Sequence, residues 1–288
     1  MPALIDLRRR IKSVRNTQKI TRAMKSVATA KFKQAQRRVL ETRPLWHGWP
    51  DLAGRIAAAA VGSRHPLLVK RSEKMTRLVV IASDKGLAGA FNSNLLEAAA
   101  RFAEEKMAGG KIRLALLGKK ADLFFRNTSC VIDRRYVDDV QKLSPGELDD
   151  LADFLMREYT LNRSDAVYVA YNEFKSILAP RVTLMKLLPL EPPPADERTG
   201  GGPDWEPGRE RMLRSLLPQF VREQIRHCYH ESLAAEQAAR MMAMDNATNN
   251  AEDLIEDLTL VLNKIRQASI TTELLEIQTA VNAQAKNR

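Results

Sequence analysis

The chain has 288 residues, 44% of them hydrophobic and 28% charged, which is enough for two ordinary domains or for one domain with extended helices. Its apolar runs are too short to cross a bilayer. The net charge of +11 is local: residues 1–43 carry 13 Lys or Arg against only Asp6 and Glu41, and the rest of the chain balances. Two cysteines, Cys130 and Cys228, far apart in sequence, exclude a disulfide framework and a zinc knuckle and fit a reducing compartment.

Ala3 to Arg43 contains no proline or glycine, and apolar residues recur at Leu4, Leu7, Ile11, Val14, Ile20, Met24 and Val27. With Thr17 filling the place between Val14 and Ile20, this spacing predicts a helix with a narrow apolar seam, and the segment 1–62 is expected to be one long helix. An Arg-rich, acid-poor amphipathic N-terminus also has the composition of a mitochondrial transit peptide, but the periodicity here runs past the usual length of one.

After Pro66 the period changes. Arg77 to Ser83, Arg113 to Leu117, Val131 to Tyr136, Ala166 to Phe174 and Arg181 to Leu188 read as strands, and helical patterns separate the first four. Ser144, Pro145 and Glu147 form a capping-box arrangement that opens one of those helices. Alternating strand and helix predict a small α/β domain with a largely parallel sheet over 76–190. The stretch 189–208, crowded with proline and glycine, is expected to be a loop leading into a second long helix over 209–288.

Gln219 to Arg288 again has no proline or glycine, and at about 1.5 Å per residue such a helix would reach on the order of 100 Å, beyond the span of a small domain. Ala247, Ala251, Leu254, Leu258, Val261, Ile265, Ala268, Thr272 and Leu275 alternate steps of four and three, a heptad seam. The N-terminal helix is the expected partner. The fold class is therefore α/β, with a long antiparallel two-helix coiled coil from the terminal segments added to the small domain.

Catalytic signatures are weak. The turn Ser83 to Asn92 follows the first strand, where a dinucleotide fold places its glycines, but only Gly86 and Gly89 are present and the spacing differs. Neither Gly118-Lys119 nor Gly110-Lys111 has the upstream glycine and the following Ser or Thr of a P-loop. His227, Cys228 and His230 lie close on a helix, with no further ligands spaced to complete a metal site. The basic N-terminal face has the charge to bind nucleic acid, yet its first aromatic is Phe32, so it lacks bases' usual stacking platforms.

Two stretches are more specific: Asn16 to Ala28, NTQKITRAMKSVA, and Ala239 to Asn250, ARMMAMDNATNN. With Asn263 to Thr271, Glu273 to Ile277 and the Ser83 to Asn92 turn, they resemble the gamma subunit of F-type ATP synthases over nearly the whole chain. The resemblance implies a central-stalk rotor of a proton-driven machine, standing in a ring of alpha and beta subunits and resting on the c-ring beside epsilon, one copy per complex. It implies no catalytic residues, metal or cofactor on this chain and no nucleic-acid partner. Membrane association is expected only through the complex, peripherally at the cytoplasmic face of a bacterial inner membrane.

By the same resemblance, Met24 and Lys25 match positions that approach an acidic loop of beta, and Arg266 and Gln267 match a pair that hydrogen-bonds a beta loop. Trp205 and Glu206, followed by Pro207, resemble an element of the foot near epsilon and the c-ring. Two departures stand out. Gln284, Lys286, Asn287 and Arg288 are polar where family members often carry an apolar tip, and the paired cysteines of the thiol-switched chloroplast form are missing.

Overall fold

A computed structural model describes the backbone of residues 2–60, 65–137, 139–174, 180–190 and 209–286, and the side chains of these except 2–3, 42–60, 180, 209 and 280–286. The elements in chain order are α1 (Pro2–Ala60), β1 (Met75–Ile81), α2 (Phe91–Gly109), β2 (Lys111–Leu117), α3 (Lys119–Phe125), β3 (Val131–Tyr136), α4 (Pro145–Thr160), β4 (Ala166–Phe174), β5 (Pro180–Leu188) and α5 (Arg209–Lys286). The chain divides into two compact units, one of residues 1–27 with 243–288 and the other of residues 28–242.

In the larger unit the strands form one sheet in the order β3-β2-β1-β4-β5. β1 to β4 are parallel and β5 is antiparallel to β4, so the expected α/β class with a largely parallel sheet is observed. The central strands are apolar on both faces because both are covered. Leu78, Val80, Leu114 and Leu116 pack beneath α2 and α3, with Leu95, Ala99 and Phe125. Their alternates Val79, Ile81, Ala115 and Leu117 pack beneath α4 and the first part of α5, with Leu151, Leu155, Leu217, Val221 and Ile225. The Ser144 cap forms as expected: its Oγ accepts from Glu147 N–H, and the Glu147 carboxylate accepts from Ser144 N–H.

Polar side chains of α5 lock this helix to the ends of the strands. Tyr229 donates to the Val140 carbonyl at 2.6 Å, Ser232 donates to the Ile81 carbonyl at 3.0 Å, and buried Glu231 accepts from Phe174 N–H at 2.8 Å. Cys228 is fully buried between them, and burial pushes its thiol up, away from reactive thiolate. α5 also runs through Pro218, which has no N–H to offer the preceding turn; Leu217 and Val221 on either side are buried, and this packing offsets the lost bond.

His230 on α5 is pushed down to about 4, first by burial and then by Arg38 and Arg226. The unfolded chain therefore takes up a proton on this residue near pH 6.5, where the folded chain does not. Stability from His230 is complete above that pH and is lost as pH falls toward 4, by roughly 2–3 kcal/mol in all. Urea titrations from pH 7 to 4 should show a shallower loss of stability in His230→Gln than in the wild type; parallel curves would contradict this account.

In the smaller unit α1 and α5 pair antiparallel. Thr21 Oγ1 and Thr248 Oγ1 lie 2.8 Å apart, and four residues on in α1 Lys25 Nζ bonds Asp245, three residues back in α5, at 2.6 Å. The expected coiled coil forms, but in a different phase. On α1 the inward positions are Leu4, Leu7, Ile11, Val14, Gln18 and Thr21, an unbroken 3-4 alternation, whereas Ile20 and Val27 are 59% and 58% exposed. The expected seam followed hydrophobicity from Val14 to Ile20, while the actual seam passes through two polar residues.

On α5 the inward positions are Met244, Thr248, Ala251, Ile255, Leu258, Leu262, Ile265 and Ser269. Ala251, Leu258 and Ile265 were expected there, but Leu254 and Val261 are partly exposed and yield to their neighbours Ile255 and Leu262. Both choices satisfy a heptad count, and the polar Thr21 to Thr248 and Lys25 to Asp245 contacts distinguish them. Residues 270–279, including Thr272 and Leu275, are all exposed, and the register set at Thr21 brings Leu4 opposite Ile265.

Candidate functional site

The strand-to-helix turn at Ser83 to Asn92 is closed by its own polar groups. The Asn92 side chain accepts from Ser83 N–H at 3.1 Å. Asp84 accepts from Lys119 N–H at 2.9 Å through one carboxylate oxygen and from Val140 N–H at 2.7 Å through the other. A carboxylate thus occupies the start of α3 in the place where a phosphate would need those amides, and repels one. Arg240, held by Glu236 at 2.7 Å, reaches the Gly86 carbonyl at 3.4 Å. The turn is a structural joint.

Around His227, Cys228 and His230 the side chains serve packing: Cys228 lies in the core, and the His230 ring stacks edge-on against Tyr229 at 5.2 Å. Among the described residues no group of three or more His, Cys, Asp or Glu is placed to hold a metal. Cys130 and Cys228 are both free thiols.

The two-helix unit is different, because its outer surface is unevenly charged. Residues 1–27 carry eight Lys or Arg and one acid, while residues 243–279 carry seven acids and two bases. Lys12, Arg15 and Lys19 are exposed on α1, and Glu252, Asp253, Glu256 and Asp257 are exposed on α5. The register of Thr21 with Thr248 sets these groups at the same level, so one cross-section is cationic on one side and anionic on the other. The basic excess is visible in the sequence, whereas its acidic counterpart is hidden by the balanced net charge of residues 44–288.

Met24 is half-buried beside the seam, and the neighbouring Lys25 pairs with Asp245, both side chains about two-fifths exposed. Arg266 and Gln267 are exposed together on α5. The structure does not bring the two pairs together: Asp245 marks the level of Lys25, and Arg266 stands 21 residues farther along the same helix, about 30 Å away. Trp205 and Glu206 lie outside the described residues, as do Pro207 and most of the 189–208 segment.

Apolar side chains missed as surface features complete the unit. Ile20, Val27, Leu260, Ile270, Leu274, Leu275 and Ile277 are between 48% and 69% exposed. A soluble helical surface scatters such residues singly, but Ile270, Leu274 and Ile277 recur at helical spacing and form a stripe. No helix among the described residues is long and apolar enough to cross a membrane.

A family model described as ATP synthase matches residues 3–283. The ATP synthase gamma chain of Pelotomaculum thermopropionicum is 41% identical over 278 residues, covering 96% of this chain and 97% of that one. That of Solibacter usitatus is 41% identical over 281 residues, with the same shares of each chain covered. Among solved structures, a chain of the Tetrahymena thermophila mitochondrial ATP synthase central stalk and c-ring aligns with a TM-score of 0.62 at 25% identity, over 79% of this chain and 99% of that one. A chain of the Euglena gracilis mitochondrial enzyme aligns with a TM-score of 0.67 over 98% of this chain and 95% of that one, at 18% identity, a likeness of fold.

Proposed function

Because the chain belongs to the ATP synthase gamma-chain family, we propose that it acts as the rotor that transmits turning of a proton-driven c-ring to the catalytic beta subunits, without catalysing ATP synthesis itself. The observation that carries this reading is the bipolar cross-section of the two-helix unit. A shaft shifts a partner between conformations only by the difference in its contacts with the two states, so a uniform surface would drive nothing. Here a turn of the unit replaces a cationic face by an anionic one.

Two contact levels follow. Met24 and Lys25 are assigned to an acidic loop of beta, a role that requires Lys25 to exchange or share its bond with Asp245; an exposed ion pair of this kind is worth less than about 1 kcal/mol and opens easily. Arg266 and Gln267, exposed at the other level, supply five guanidinium N–H donors and an amide to a second beta loop. Alpha subunits complete the surrounding ring. Trp205 and Glu206 are assigned to the foot that meets epsilon and the c-ring. One copy serves each complex, held at the cytoplasmic face of the bacterial inner membrane by its partners.

Assembly with alpha and beta should yield an ATP-hydrolysing complex, while the purified chain alone hydrolyses no ATP. In the complete membrane-bound complex, with the c-ring present, Arg266→Ala should lower ATP-driven proton pumping several-fold more than ATP hydrolysis, and it should leave the melting temperature of the isolated chain unchanged. ATPase activity in the isolated chain would refute the non-catalytic reading, and equal coupling in mutant and wild type would remove Arg266 from the beta contact.

A further inference from the structure

In the larger unit a cleft of about 350 Å³ opens between α1, α5 and the segment before α4. Lys31, Arg38, Lys85 and Lys142 line it against a single acid, Asp139. These cations come from three separate stretches of chain, so their convergence is a product of the fold. A second cavity of about 530 Å³ shares Arg38, Gln141, Lys142 and His230 with the first and adds Arg226 and Ser144. The two cavities are neighbours that share these four residues.

The polar groups of this cleft are partly committed. Lys31 donates to Gln141 Oε1 at 2.9 Å, Gln141 donates to Glu236 at 3.1 Å, and Lys142 pairs with Asp139. Gln237 is not satisfied in the same way: the residue is 4% exposed, and its Oε1 is buried without a hydrogen-bond partner. A buried amide oxygen left unmatched costs roughly 1–3 kcal/mol, and amide orientation is assigned by its surroundings. Turned over, the same side chain offers an N–H at that position, beside the cleft that Gln237 lines. His230 stays neutral at pH 7 and adds a hydrogen-bonding ring rather than a further charge.

We infer that this basic cleft binds a small phosphate oxyanion, for which inorganic pyrophosphate is the probe. The volume falls in the usual range for small-ligand sites. Among the described residues His230 is the single aromatic ring that lines either cavity, and it already stacks on Tyr229, so no platform is left there for a nucleotide base. This inference is independent of the rotor reading, because it concerns the isolated chain.

The test is calorimetric titration of the full chain with sodium pyrophosphate at about 0.1 M salt. One site per chain is expected, with a Kd below about 1 mM. Lys85→Gln and Gln237→Leu should each weaken binding about tenfold, the loss of one hydrogen bond to a charged group. Gln237→Leu changes no charge, so its effect separates a built site from general attraction to basic surface, and exposed Lys85 keeps the test open should Gln237→Leu unfold. Lys12→Gln, in the other unit, should have no effect. Absence of saturable binding up to about 5 mM, or binding insensitive to both cleft variants, would overturn the site.

Discussion

Gly118→Ala should lower the melting temperature of the chain by roughly 6–20 °C, from a loss of about 3–5 kcal/mol. Gly118 joins β2 to α3 with φ of +99°, a conformation that L side chains rarely adopt. A Cβ there would lie 2.4 Å from the Ala82 carbonyl oxygen and 2.7 Å from its carbon. That backbone cannot retreat cheaply, since Ala82 N–H is bonded to Leu117 O at 2.9 Å and Gly118 N–H to Tyr136 O at 2.8 Å. Gly89 is the natural control: its φ is +56°, but an added Cβ meets nothing within 4 Å, so Gly89→Ala should cost only about 1 kcal/mol. Equal losses in thermal melts of the two variants would show that dihedral strain, not crowding, governs Gly118.

Arg77→Ala should be comparably severe. Arg77 is 3% exposed and donates to Asp133 at 3.0 Å, to Glu158 at 2.6 Å and to the Arg163 carbonyl at 2.9 Å. Truncation leaves two mostly buried carboxylates with weaker company, Arg113 beside Asp133 at 2.7 Å and Arg163 beside Glu158 at 3.5 Å. Breaking one side of a buried ionic group costs about 3–5 kcal/mol, chiefly through the charges left behind. The triple change Arg77→Met, Asp133→Asn, Glu158→Gln removes those charges and should recover more than half of the loss in urea unfolding. A triple variant no more stable than Arg77→Ala would show that the charges left behind are not the source of the loss.

The sheet was legible because its central strands are buried on both faces and read as short apolar runs bounded by turn residues; the Ser144 cap was legible because its geometry is local. Seam phase was not legible. Gln18, Thr21 and Thr248 face inward while Ile20 and Val27 face outward, so the assumption that apolar residues mark the inner face fails on this helix. Arg266 and Gln267 carry no signature within one chain, since an exposed pair of polar residues looks the same with or without a partner, and only the family resemblance singled them out. The basic cleft was hidden for another reason: its residues are scattered from Lys31 to Gln237 and meet only after folding.

A heptad seam has a weakness that the Thr21 to Thr248 contact repairs. Sliding one helix by seven residues, about 10 Å, returns apolar side chains to apolar positions, so hydrophobic packing alone leaves the pairing with several near-equivalent settings. Two threonine hydroxyls at 2.8 Å and the adjacent Lys25 to Asp245 bond are lost in every setting but one. They work as the zero mark on a ruler. From that mark the length of α5 that extends past Leu4 is determined, and with it the height at which Ile270, Leu274 and Ile277 stand. Removing both marks, as in Thr248→Val with Asp245→Ala, takes away the polar bonds that hold the two helices at one height here, a loss of calibration rather than of strength.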